Sequence, residues 1–195
     1  MSSSSDSKIK SLQDSGLVDW SVLSEIIQMD EDEEDFSQQL FETFVNQVND
    51  TFKEINHYLK TKDLDNLSKT GHFLKGSAAA LGLTLISQQC ERIQNYGHKI
   101  NFDNFDIRDV DREKIKDVEE DGVETNENGK NKYEDKENNI TKDSITKDNK
   151  KDDEFSILDQ SSDEYWILLI KDALAKAKSG FISTKKALDD YFETE

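Results

Sequence analysis

The strongest constraint on this chain is a stripe of apolar residues spaced for a helix. Phe36, Leu40, Phe41, Phe44, Val45, Val48, Phe52, Ile55 and Leu59 follow one another at steps of one, three and four, so one side of a helix about seven turns long must be buried. The same period recurs in Leu67, Leu74, Ala78 and Leu81, then in Ile86, Cys90, Ile93, Gly97 and Ile100, and finally in Trp166, Leu169, Ile170, Ala173, Ala177, Phe181, Leu188 and Tyr191. A shorter copy, Val22, Leu23, Ile26 and Ile27, precedes them. No proline interrupts any of these stripes. Four long amphipathic helices and one short leading helix are expected, and an antiparallel four-helix bundle is the economical way to bury them: an all-α fold.

Local signals set the expected helix ends. Asp19 or Ser21 can cap the leading helix, Asp35 can cap the next with Gln38 completing a capping box, and Asp63 can cap the third. Gly82 can end that helix and Thr84 open another, while Ser161 with Glu164 forms a second capping box ahead of the final stripe. Residues 1–17 are rich in Ser, Asp and Lys without periodicity and are expected to be a mobile tail. The bundle domain is expected to span 18–195, interrupted at 101–155 by a disordered acidic insertion, where text such as DVEEDGVETNENGKNKYEDKENN cannot bury enough apolar surface to offset the entropy of ordering it.

Charge narrows the function. The formal net charge of −18 over 195 residues argues against nucleic acid and anionic membrane as partners. No apolar run approaches a membrane span, and MSSSSDSKIK lacks the apolar core of a secretory signal. The one cysteine, Cys90, suits a reducing compartment, so a soluble intracellular protein is expected. The acidic run at 30–35 lacks the glycine and terminal Glu of a calcium loop, the three histidines are too scattered for zinc, and no glycine-rich phosphate loop follows a strand. Neither a metal site nor ATP binding is expected.

The stretch GHFLKGSAAALGL, residues 71–83, then stands out, because a helix interior loses about 1 kcal/mol for each Gly in place of Ala. On a 3.6-residue turn His72 lies about 140° from the buried stripe, Lys75 about 80°, Ala79 about 120° and Gly76 about 180°. The histidine therefore points outwards beside a bare strip, with a cation one turn away. An exposed imidazole is a competent nucleophile that can carry a phosphoryl group, and such transfer needs little more than positioning and neutralised oxygen charge. Two readings are open from spacing alone: a phosphoryl carrier, or an acidic helical interaction module in which His72 takes no covalent role and the small residues only allow close packing.

These residues, H-x-x-K-G-S with a glycine ten positions after the histidine, resemble the histidine-containing phosphotransfer (HPt) family. The likeness extends through WSVLSEIIQMDEDEEDFSQQL and CERIQNYGHK to the fungal phosphorelay intermediates of osmosensing pathways. It implies that His72 is phosphorylated by a receiver-domain aspartate of a hybrid sensor kinase and passes the group to response regulators in osmotic or oxidative stress signalling. Lys75 would neutralise charge, Gly76 would clear the approach of the receiver, Ser77 would lie in the partner-binding surface, and Gln94 would hydrogen-bond near the imidazole. Val22, Ile26, Met29, Phe36 and Leu40 would form the docking patch, although each also fits a helix stripe that needs a core. The family places a basic residue, usually Arg, four positions after the glutamine, where this chain has His98. The resemblance further implies a monomeric carrier of the cytoplasm and nucleus, without a kinase activity or cofactor of its own, magnesium being needed only in the partner receiver.

Overall fold

The computed structural model describes residues 2–116, 118 and 158–192, with side chains from Lys8 onwards. The described residues form helices and no strand: α1 (Ser2–Asp14), α2 (Trp20–Gln28), α3 (Phe36–Thr61), α4 (Leu64–Ala80), α5 (Thr84–Gly97), α6 (Arg112–Lys116) and α7 (Asp163–Phe192), with single 3-10 turns at Met29–Glu31 and Ile107–Asp109. Helices α3, α4, α5 and α7 are the four-helix bundle expected from the four stripes. Phe44, Val48, Phe52 and Ile55 of α3 are buried in one core with Leu67, Leu74 and Ala78 of α4, Ile86, Cys90 and Ile93 of α5, and Leu169, Ala173, Ala177 and Phe181 of α7. Two tight connections make α4 antiparallel to both chain neighbours. Lys62 turns the chain at φ 56°, and Gly82 turns it at φ 70°, where a Cβ would also stand 2.8 Å from the Asp19 carbonyl.

Several helix ends differ from expectation. Asp35 adopts φ 62° and caps nothing. Asp30 takes its place, its carboxylate accepting from Ser37 N at 2.7 Å and Ser37 Oγ at 2.5 Å, so the acidic run reaches forward to satisfy the first turn of α3. At α7 the oxygen that accepts from Tyr165 N is Ser162 Oγ, not Ser161. Glu164, instead of closing a capping box, pairs with Lys62 at 2.6 Å across the bundle end. Asp19 and Asp63 cap α2 and α4 as expected. Ile100, read as inward-facing, is 51% exposed, because α5 ends at Gly97 and the stripe ends with it.

The two ends of the expected domain map also change. Residues 2–14, read as a mobile tail, form α1, whose Leu12 is only 3% exposed and whose Lys8 Nζ donates to the Asp190 carbonyl at 2.7 Å. Leu12 in the common core and the Lys8 bond to Asp190 hold it to the bundle, contacts that leave no periodic trace. Of the insertion read at 101–155, residues 101–116 and Val118 are folded against α5 and α7; the remainder lies outside the described residues. Their anchor is polar. Arg92 on α5 donates through Nη1 to Asp172 at 3.1 Å and through Nε to Asp103 at 2.9 Å, and Lys176 adds a 2.6 Å bond to Asp172, which is 1% exposed. Tyr96 OH donates to Asp103 at 2.9 Å, and the Phe105 ring lies 4.2 Å from the Arg92 guanidinium and 4.5 Å from Lys176 Nζ. Burial works against the charge of Arg92, but the oxygens of Tyr96, Asp172 and Asp103 outweigh it and raise its pKa. Burial likewise pushes the Tyr96 phenol well above its ordinary value, which keeps the donor proton in place.

Removing one member of a buried ion pair leaves the other uncompensated. Asp172→Ala is therefore expected to cost about 3 kcal/mol in urea unfolding and to open the 101–116 segment to proteolysis. A loss below about 1 kcal/mol, with the segment still protected, would show that the network is not what holds it.

Candidate functional site

The site lies along the contact of α4 and α5, which pack close enough that neither tolerates a side chain at two positions. A Cβ on Gly71 would stand 2.8 Å from Gln94 N and 3.0 Å from the Cys90 carbonyl, and one on Gly97 would stand 2.7 Å from the Leu64 carbonyl and 2.8 Å from Ser68. Ser68 Oγ ties the helices further by donating to the Gln94 carbonyl at 2.8 Å. This register fixes which residues meet: Gly71 and its neighbour His72 are level with Gln94, and Lys75 is level with Glu91.

His72 is exposed, but so are His57 and His98, and exposure alone selects none of them. Their surroundings do. One turn from His72, Gly76 has nothing within 4 Å of where a Cβ would be, and Ala79 is exposed a turn further on. The bare strip read from the sequence is real, and of the glycines in 71–83 Gly76 is the one that internal packing does not explain. Lys75 Nζ lies 3.5 Å from Glu91 Oε1, with both side chains partly exposed. Gln94 Oε1 is buried and accepts no hydrogen bond from the described residues. His98 is the C-cap of α5, beside Gly97 and four residues past Gln94, about 6 Å further along the axis at 1.5 Å per residue. The α4/α5 register thus puts His72 level with Gln94, with Lys75 one turn along α4 and His98 one turn along α5.

The apolar residues assigned to docking differ in burial. Ile26 and Leu40 pack against the core, Val22 and Phe36 are half-buried, and Met29 is 51% exposed. Ser77 is held by Gln47 of α3, whose Nε2 donates to Ser77 Oγ at 2.6 Å. Sequence reasoning missed Phe73, 56% exposed next to His72. The helical wheel that placed His72 puts Phe73 about 120° from the buried stripe on the opposite side from Lys75, so the signal was present. Glu91 gave no signal, because only the α4/α5 register brings it to Lys75. Cys90, buried behind the site, has its thiol pushed up to about 12 by burial and takes no part in it.

Fold and site together define a histidine phosphotransfer protein: a helical bundle that presents one imidazole on a face cleared of side chains. The sequence profile of the Hpt domain matches residues 39–120. The phosphorelay intermediate protein YPD1 of Candida albicans is 55% identical over 189 residues, covering 97% of this chain and all of that one. A crystal structure of yeast Ypd1p superposes with a TM-score of 0.62 at 31% identity over 92% of this chain and 96% of that one. Saccharomyces cerevisiae Ypd1 co-crystallised with the receiver domain of its downstream response regulator Ssk1 gives 0.60 at 30% identity over 91% and 95%. The chain belongs to the Hpt-domain family of phosphorelay intermediates.

Gly71 and Gly76, on either side of His72, separate packing from clearance. Gly71→Ala forces the backbones of α4 and α5 apart and is expected to destabilise by about 2 kcal/mol or more. Gly76→Ala meets nothing and should stabilise by up to about 1 kcal/mol through helix propensity. Thermal unfolding of the two variants, compared side by side, checks this; equal effects would remove the distinction.

Proposed function

We propose that His72 is the phosphoryl carrier of a His-Asp phosphorelay, loaded by the aspartyl phosphate of a receiver domain on a hybrid sensor kinase and unloaded onto the aspartate of a response regulator. The observation that carries this reading is Gly76, an exposed helical glycine that costs stability and serves no internal contact. Clearance for a second protein at the imidazole accounts for it. The co-crystal structure of Saccharomyces cerevisiae Ypd1 with the receiver domain of its downstream response regulator Ssk1 supports the partner class.

In the loading step a lone pair on an imidazole nitrogen of His72 forms the N–P bond as the P–O bond to the receiver aspartate breaks, and the carboxylate leaves with the electron pair. Unloading reverses this onto a second aspartate. Transfer of this kind depends on in-line positioning and charge neutralisation. We assign the orientation of the ring to Gln94 Oε1, whose missing hydrogen bond an imidazole N–H would supply, which leaves the other nitrogen as nucleophile. Lys75 meets the phosphoryl oxygens, and His98 is a second donor reached from the side. The acceptor aspartates and the magnesium belong to the receivers, so the carrier has no ATP site and turns over no substrate of its own. Val22, Met29, Phe36 and Phe73 supply apolar contact to the receiver, and the exposed carboxylates of 31–35 favour a basic rim around its docking face.

Treated with phosphoramidate, the native chain should gain acid-labile, alkali-stable phosphate and hand it to the receiver domain of Saccharomyces cerevisiae Ssk1. His72→Gln should gain none, with unchanged helical content and melting temperature, because an exposed side chain contributes little to the core. Undiminished acceptance by the variant would contradict the assignment.

A further inference from the structure

Lys75 is not an idle cation waiting for a phosphoryl group. Its ammonium already has an anion, Glu91 Oε1 at 3.5 Å, reached across the α4/α5 contact. The backbone there is held by the fit of Gly71 against Gln94 and Cys90 and by the Ser68 bond to Gln94, so Lys75 and Glu91 face each other from fixed positions. Building on the reading of His72 as the carrier, we propose that Glu91 is a positioning residue that competes with the phosphoryl group for Lys75 and thereby keeps the phosphohistidine easy to unload.

The competition follows from charge. When His72 carries a phosphoryl group, two negative centres, the phosphoryl oxygens and the Glu91 carboxylate, share the cation at Lys75. Each hydrogen bond or close approach Lys75 makes to one weakens its hold on the other. With side chains 28% and 45% exposed, the Lys75–Glu91 pair is solvated enough to exchange readily. It is also strong enough to take back part of the stabilisation that Lys75 gives the phosphorylated state. A carrier needs that compromise: a bound phosphoryl group held too firmly would not pass to the next aspartate, and one held by no cation would be lost to water. No ring contact or covalent step is asked of Glu91; its effect runs through Lys75.

The test is Glu91→Gln, which removes the charge and keeps the size of a partly exposed side chain. After loading with phosphoramidate, its phosphohistidine should last longer than the native one by about two- to fivefold, the range open to a partly exposed ion pair. Its equilibrium with the Ssk1 receiver domain should shift towards the carrier by a similar factor. Glu91→Asp should restore native behaviour in part. In a Lys75→Ala background Glu91→Gln should change neither quantity, a result that a purely structural role for Glu91 would not produce. A lifetime that is unchanged or shorter in Glu91→Gln overturns the proposal, as does a lengthening that persists undiminished without Lys75. Failure of the native chain to take phosphate on His72 would instead overturn the carrier reading on which this one stands.

Discussion

The close approach of α4 and α5 is the constraint on which the rest of the structure depends. Gly71 and Gly97 let the two backbones meet at distances a Cβ would forbid, and that contact decides which residues of α5 stand beside His72. Were the helices one side chain further apart, Gln94 would leave the neighbourhood of the imidazole and Glu91 would lose Lys75. The energetic cost of glycine in both helices is thus recovered as geometry, in a core otherwise built from ordinary aliphatic stripes. Clearance at Gly76 is a different use of the same residue type, directed outwards.

An acidic chain must also keep its own charges from working against compactness. Here the compensation is local. Asp30 is consumed in capping α3 through Ser37, Glu164 in pairing with Lys62, and Asp172 and Asp103 in surrounding Arg92. What remains at 31–35 is exposed on the side of the molecule where α2 meets α3, available to a partner and not needed by the fold. Burying the Arg92 network gives the loop after α5 a fixed seat even though its text reads as that of a linker.

The four stripes, the tight α4/α5 turn at Gly82 and the outward direction of His72 were all legible in the sequence, because each is a consequence of helical period or of a single backbone angle. The family likeness added residues that period cannot assign, such as Gln94. What could not be read depended on contacts between distant parts of the chain. Leu12 looks like an isolated leucine until the core closes over it, and Asp103 and Asp111 look like solvated linker residues until Arg92 and Asp172 meet them. Asp30 and Asp35 are equivalent in composition, and only the path of the chain through Met29–Glu31 puts the first, rather than the second, at the start of α3.

The central claim is that surroundings and not exposure select one histidine of three. It is tested most directly by loading the full chain with phosphoramidate and locating the phosphoryl group by mass spectrometry, with fragmentation that preserves the P–N bond. The account predicts phosphate on His72, with His57 and His98 unmodified. Phosphate on either of the other two at comparable occupancy would contradict it, since all three rings are open to solvent and only the first has, one turn along its own helix, a glycine with nothing within 4 Å of where a Cβ would be.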